Sequence, residues 1–267
     1  MLVGVKRLLV CVSGGKDSVA MIKALSETLG DSVELVGFHL NLGIKGYSEA
    51  SMENAVKAFR ESGVRDYVVI DLSRDYGFTI DDVRRVRREV GRPLCSLCGL
   101  VKRYIMNKTA IDVSADAIAT GHTLDDLLAQ IIHYISMGRV REASRLTPVK
   151  SGGEMLKKRI KPLAFTQAVE SMTYVYVNNL PFQKNPCPYA SGALRKKAYI
   201  IEGLCEAEDL RPGFKESLYK NLIDLLSASS TEENGYTRCR VCGMPSRSEL
   251  CGFCRLVKKL EKLGVVK

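Results

Sequence analysis

A chain of 267 residues with 46% hydrophobic and 26% charged residues has the make-up of one large domain with small appendages, not of a disordered segment. No apolar run approaches the ~20 residues that span a bilayer, and the opening MLVGVKRLLVCVSGG reaches its glycines too soon for a signal peptide. No membrane partner and a cytoplasmic setting are therefore expected. The formal charge of +10 is concentrated in RRVRR (Arg84, Arg85, Arg87, Arg88), KKRIK (Lys157, Lys158, Arg159, Lys161) and RKK (Arg195, Lys196, Lys197). Clusters of this kind suit a polyphosphate such as RNA, since each neutralised phosphate releases counterions.

In chain order, a buried strand over Arg7–Val12 runs into Ser13-Gly14-Gly15-Lys16-Asp17-Ser18 and then a helix with Val19, Ile22 and Leu25 on one face. A second strand, Val33–Leu40, precedes NLGIKGYS and a helix over Met52–Ser62. A third, Tyr67–Leu72, precedes a basic helix over Ile80–Val90. After CSLCG and a helix from about Leu100 comes a fourth strand, Ala117–Thr120. It leads through GHTLDD into a helix with apolar Leu127, Leu128, Ile131, Ile132 and Ile135. Alternating strands and helices predict a parallel sheet covered on both faces, with the loops after the strands gathered at its carboxyl edge. Residues 1–165 form this domain in our reading. A mostly helical extension follows over 166–230, then a polar linker, Ser227 to Gly235, a cysteine module over 236–257 and a basic amphipathic tail.

SGGKDS between strand and helix is built to hold phosphate. Two glycines let the amides turn inward, and the helix N-terminus adds partial positive charge. Ser13 and Ser18 add hydroxyls, Lys16 a cation, and Asp17 a carboxylate for Mg2+ through water. It is not the GxxxxGK[ST] pattern of kinases and GTPases. It resembles the PP-loop of ATP pyrophosphatases, which implies release of pyrophosphate and transfer of AMP to an acceptor oxygen.

Nine cysteines without a secretion signal, mostly in CxxC pairs, point to metal rather than disulfides. Cys95 and Cys98 stand one helical turn apart at a helix start, and Cys187 sits between Pro186 and Pro188. Three thiolates suit a cubane cluster with one open iron. A persulfide-passing CxxC and a zinc site lacking its fourth ligand fit the same spacing. Cys239, Cys242, Cys251 and Cys254 form two CxxC knuckles, the pattern of a closed structural zinc site. Cys11 and Cys205 read as apolar core residues.

SGGKDS, HLNLGIKGYS, CSLCGLVKR, ATGHTLDD, RIKPL, CPYASGALR and the terminal cysteines come in the order seen in the TtcA/TtuA-like tRNA 2-thiolation enzymes. The resemblance is to the uridine-thiolating TtuA branch in particular, and it covers nearly the whole chain. It implies an α/β fold with a parallel-sheet PP-loop domain (N-type ATP pyrophosphatase, adenine nucleotide alpha hydrolase-like), a helical C-terminal extension and a small zinc module. It also implies ATP with Mg2+, a 4Fe-4S cluster on Cys95, Cys98 and Cys187, and Zn2+ on the terminal four cysteines. Lys102, Asp125 and Asp126 take catalytic positions by this resemblance. His39, Gly121 and Lys102 join the SGGKDS residues at the nucleotide. The partners implied are tRNA, a sulfur donor (sulfide or a ubiquitin-like carrier protein) and a second copy of the chain.

His122 is expected to order its loop, and His133 to be structural. The TtuA branch ordinarily opens with a further cysteine-rich zinc module, whereas this sequence starts almost on the first strand. GHTLDDLLAQ also has Thr123 and Leu127 where the family has asparagine and glutamate. Competing readings are 2-thiocytidine synthesis, cluster-free persulfide transfer, a pyrophosphatase forming an amide or lysidine-like product, and a zinc-bearing RNA-binding protein.

Overall fold

A computed structural model describes residues 1–153, 156–190, 193–227 and 235–266, with 193–196 and Ser227 described by backbone alone. The linker between Ser227 and Gly235, the Ser191-Gly192 part of CPYASGALR and the side chains of Arg195 and Lys196 lie outside the described residues.

The core is a six-stranded sheet. Its strands are β1 (Arg7–Cys11), β2 (Glu34–Asn41), β3 (Tyr67–Asp71), β4 (Ala117–Thr120), β5 (Val149–Lys150) and β6 (Lys158–Ile160), in the spatial order β3-β2-β1-β4-β6-β5. All neighbouring pairs are parallel except β5 with β6. The four expected strands are present, and the last two add an edge hairpin. Three residues, Lys158-Arg159-Ile160, are too few and too basic to show a strand period, so this stretch, which runs into RIKPL, carried no sheet signal in the sequence.

Chain order reverses at β1, which lies between β2 and β4. At such a switch point the connections leaving adjacent parallel strands diverge and open a crevice at the carboxyl edge. Here the crevice is bounded by α1 (Lys16–Leu29) after β1 and α7 (Leu124–Ser136) after β4. α2 (Ser48–Glu61) starts four residues ahead of the expected Met52, inside the HLNLGIKGYS loop, because Ser48 accepts the Ile44 amide at 3.0 Å and closes the first turn. The short α3 (Leu72–Tyr76) follows β3.

The basic helix is two pieces, α4 (Ile80–Arg85) and α5 (Arg87–Val90), broken at Val86. α6 (Leu94–Asp112) starts on the CxxC, directly after Pro93, as expected of a CxxC at a helix start, and the helix expected from about Leu100 is its continuation. Pro93 has no amide to satisfy and presets the chain for a helical turn.

Apolar side chains of both sheet faces are buried. Leu9, Val36, Phe38 and Ile118 pack towards α6, and Leu8, Val10, Val12 and Ala119 towards α1 and α2. Continuous apolar runs of this kind are what a doubly covered parallel sheet requires. α8 (Val140–Ala143) and the extension helices α9 (Ala168–Val177), α10 (Ala193–Leu210) and α11 (Phe214–Ser227) gather beside α1 and α7. Leu128, Leu204 and Tyr219 are buried between them. Among the described residues no helix is long and apolar enough to cross a membrane.

The terminal module has a two-stranded ribbon, β7 (Thr237–Arg238) with β8 (Pro245–Ser246), and α12 (Gly252–Lys262). The expected tail is α12, which begins within the cysteine knuckle and buries Leu256 and Leu260. It is docked on α6: the Phe253 ring stacks on Tyr104 with centroids 3.9 Å apart and meets Tyr76 edge-on at 5.3 Å.

Candidate nucleotide crevice and cysteine centres

The phosphate loop is shaped by close backbone packing. Gly14 has φ +82°, and a Cβ there would stand 2.3 Å from the Ser51 carbonyl oxygen; only glycine fits. Ser18 Oγ accepts the Ser13 amide at 3.1 Å and donates to the Gly15 carbonyl at 2.9 Å, which closes the loop onto the first turn of α1. The Gln183 amide, from the extension, donates to the Gly14 carbonyl at 2.7 Å. Lys16 Nζ lies 2.5 Å from Asp17 and 3.0 Å from the Ala168 carbonyl. Gly121 passes so near this loop that a Cβ would meet Ser18 Cα at 2.9 Å. The loops after β1 and β4 therefore meet, as the topology requires.

His39 is buried, and its Nδ1 donates to the Val12 carbonyl at 2.8 Å. Nε2 has no partner. Burial pulls the imidazole below its usual pKa, with the Lys102 charge adding to the effect, so His39 is neutral and offers one lone pair. His122 Nδ1 lies 3.1 Å from Thr120 Oγ1. His133 lies beside Tyr134 on α7, away from these loops.

The two aspartates of GHTLDD have different surroundings. Thr123 caps α7. Asp125 is buried: Oδ1 meets Lys215 Nζ at 2.7 Å with both side chains 3% exposed, and Oδ2 accepts the Ala168 amide at 2.6 Å. Asp126 faces the crevice, where Lys197 of α10 donates to it. Burial acts to raise the Asp126 carboxyl, but the Lys197 charge and hydrogen bond, with His122 beside it, outweigh that and hold it low. Asp17 is raised, first by burial and further by the Asp126 charge, although Lys16 opposes the shift. Lys215 lies in no motif, and Lys197 stands out in the sequence only as part of the basic RKK cluster. Cys205 is not the purely apolar residue expected, since Lys215 Nζ lies 3.2 Å from its sulfur. Cys11 does pack with the core, and burial pushes its thiol up to about 12.

Cys95, Cys98 and Cys187 converge although 89 residues separate the second from the third. Cys95 Sγ donates to the Tyr189 carbonyl at 3.9 Å. Burial raises the Cys98 thiol; charge on Cys187 and Cys95 raises it further, and Lys102 and Arg103 pull the other way. Tyr189 holds this arrangement by donating its hydroxyl to Asp81 at 2.7 Å while the Arg84 guanidinium lies 4.9 Å over its ring. An open cleft of about 530 Å³ adjoins it, lined by Arg84, Arg85, Arg87, Arg88, Pro188 and Tyr189 among others. Arg85 pairs with Asp82 at 3.2 Å, whereas Arg87 and Arg88 have no carboxylate partner among the described residues.

Among the described residues, the four terminal cysteines are the one group of three or more potential metal ligands whose ligand atoms all lie within 4.8 Å of one another. Tetrahedral zinc with Zn–S near 2.3 Å places its ligand sulfurs about 3.8 Å apart, and Cys242 and Cys251 stand at 3.7 Å. Burial acts to raise the Cys239 thiol, but backbone amides of Cys251, Cys242 and Val241 directed at the sulfur bring it down to about 6. The donors fit a single tetrahedral cation. Cys95, Cys98 and Cys187 do not form such a group among the described residues.

The chain is 36% identical to a tRNA-5-methyluridine(54) 2-sulfurtransferase of Pyrococcus horikoshii, over 94% of this chain and 78% of that one. It belongs to the TtuA/NcsA tRNA 2-thiolation family. A Thermus thermophilus enzyme of the same name is 35% identical, over 96% of this chain and 78% of its own. Among solved structures, the U34-tRNA thiolase NcsA of Methanococcus maripaludis, with its [4Fe-4S] cluster, superposes with a TM-score of 0.79 at 28% identity. That match covers 98% of this chain and 82% of the thiolase, so the fold is the adenine nucleotide alpha hydrolase-like α/β fold. No family model matches the chain.

Proposed function

We propose that this chain is an ATP-dependent tRNA sulfurtransferase. It adenylates the C2 oxygen of a uridine and replaces that oxygen with sulfur delivered at a 4Fe-4S cluster on Cys95, Cys98 and Cys187. The observation that carries this reading is the position of Lys102. Its charge acts on Cys98 on one side and on His39 and His122 of the nucleotide crevice on the other. A cation that acts on both sets of residues supports a sulfur step and a nucleotide step at neighbouring places.

The N-terminus of α1, which follows the phosphate loop directly, is the anion-binding end for the pyrophosphate. Lys16 stands at that end, and Asp17 and Asp126 offer carboxylates to the Mg2+ that accompanies ATP. In the first step the base oxygen attacks the α-phosphorus, and the α–β bridging bond breaks with its electron pair leaving on pyrophosphate. Preorganised amides and lysines stabilise that developing charge. In the second, sulfur adds at C2 and the oxygen departs with AMP. A bound cluster supplies an open iron that holds sulfide for this transfer. Lys102 lies where it can counter negative charge on sulfur and on the leaving AMP.

Zn2+ on Cys239, Cys242, Cys251 and Cys254 is structural in this reading. Free thiols suit the reducing cytoplasm, and the sulfur donor is sulfide or a ubiquitin-like carrier. The arginine cleft beside Cys95 gives tRNA phosphates a site near the thiols.

The test is anaerobic reconstitution with iron, followed by incubation with tRNA, ATP and sulfide and nucleoside analysis. Wild type should form 2-thiouridine, and Cys187→Ala should lose it by at least ~100-fold, since removing an essential group costs orders of magnitude. Full activity of Cys187→Ala without iron would overturn the cluster assignment, and thiolated cytidine would overturn the substrate.

A further inference from the structure

The adjacent aspartates of GHTLDD are each held by a lysine from the helical extension, and the two pairs differ in kind. Asp125 and Lys215 are both 3% exposed and belong to a closed set that includes Gln167 Oε1 at 3.1 Å and the Ala168 amide. That set joins α7, α9 and α11 and has no opening towards a ligand. Asp126 and Lys197 are each 28% exposed and stand at the crevice wall, where Asp126 acts electrostatically on Asp17 and His122. Because Asp125 and Lys215 already fix the helices, the outer pair is not needed to hold them. A partly solvated ion pair contributes little stability.

The crevice therefore contains two carboxylates, Asp17 and Asp126, flanked by two lysines, Lys16 and Lys197. Polyphosphate brings several negative charges beside two carboxylates that already repel one another. Lys16 approaches from the α1 side, and the opposite wall needs a cation of its own.

We propose that Lys197 is a nucleotide-binding residue, kept on Asp126 when the crevice is empty and transferred to the ATP polyphosphate when MgATP enters. Asp126 is then freed to face the magnesium ion. A long, flexible lysine stem with a compact charge suits such an exchange between partners. The interaction is with phosphate and not with the adenosine moiety. It ties nucleotide occupancy to α10, the helix that follows the Cys187–Tyr189 segment. The proposal rests on the nucleotide-crevice reading above.

The test is equilibrium calorimetry of the anaerobic, metal-loaded protein with MgATP, and separately with adenosine. Lys197→Ala removes one charge-assisted hydrogen bond and should weaken MgATP binding by roughly tenfold. Adenosine affinity should stay unchanged, and Lys197→Arg should recover most of the loss. Lys197→Gln serves if the alanine variant melts early.

Asp126→Asn separates a direct phosphate interaction from mere neutralisation. On that background Lys197→Ala should still weaken MgATP binding, and restoration of wild-type affinity would show that Lys197 only screens Asp126. Unchanged MgATP affinity in Lys197→Ala, or an equal loss for adenosine, would also overturn the proposal. Failure of the wild type to bind MgATP would instead overturn the nucleotide reading itself.

Discussion

Two neighbouring carboxylates, alike in the sequence, do opposite work in the fold. Asp125 is enclosed with Lys215, and a buried ion pair broken on one side leaves a charge that nothing solvates. Lys215→Met should therefore destabilise the protein by about 3–5 kcal/mol in urea unfolding. Pairing it with Asp125→Leu, which removes both charges, should recover part of that loss. A Lys215→Met variant of normal stability would show that the pair is not the clamp described here. The sequence identified both aspartates but had no means to separate them, since GHTLDD places both in the first turn of a helix. Their difference is made by Lys197 and Lys215, which lie more than 70 residues away, the first known only as part of a basic cluster and the second in no motif. By contrast, the glycines were legible. SGG between strand and helix implied a tight backbone, and at Gly14 the Ser51 carbonyl leaves no room for a side chain.

Among the elements, α6 connects the centres. It begins on Cys95 and Cys98, carries Lys102, whose charge acts on Cys98 and on His39, and presents Tyr104 to Phe253 of the cysteine module. The four-cysteine knuckle thus supports the helix that carries the thiols, which its placement near the chain's end gave no hint of. Phe253→Ala should cost about 3–5 kcal/mol, lower the melting temperature and shorten the lifetime of a reconstituted cluster in air. Loss of stability with an unchanged cluster lifetime would show that the module supports the fold without supporting the cysteines. Other elements escaped the sequence for local reasons. The break at Val86 has no glycine or proline to announce it, and β5 and β6 are too short for a period to register. The four longer strands were legible because apolar runs ended at turn residues.

For the molecule as a whole, the net charge of +10 acquires a location. Arg87 and Arg88 stand on the cleft wall beside Tyr189, close to Cys95 and without a carboxylate partner among the described residues. Replacing both with alanine should weaken tRNA binding across sequences and reduce the slope of log K against log salt by about one per arginine that contacts phosphate. An unchanged slope in filter binding would move the RNA to another face.

In the proposed reaction one crevice makes the base oxygen leave on AMP while sulfur arrives from the cysteine side. The sharpest test uses tRNA whose target uridine carries oxygen-18 at C2, incubated with ATP, sulfide and the anaerobically reconstituted protein. The label should appear in AMP, one labelled AMP for each 2-thiouridine formed. Thiolation with unlabelled AMP would contradict this chemistry, because sulfur would then enter without adenylation of the oxygen it replaces.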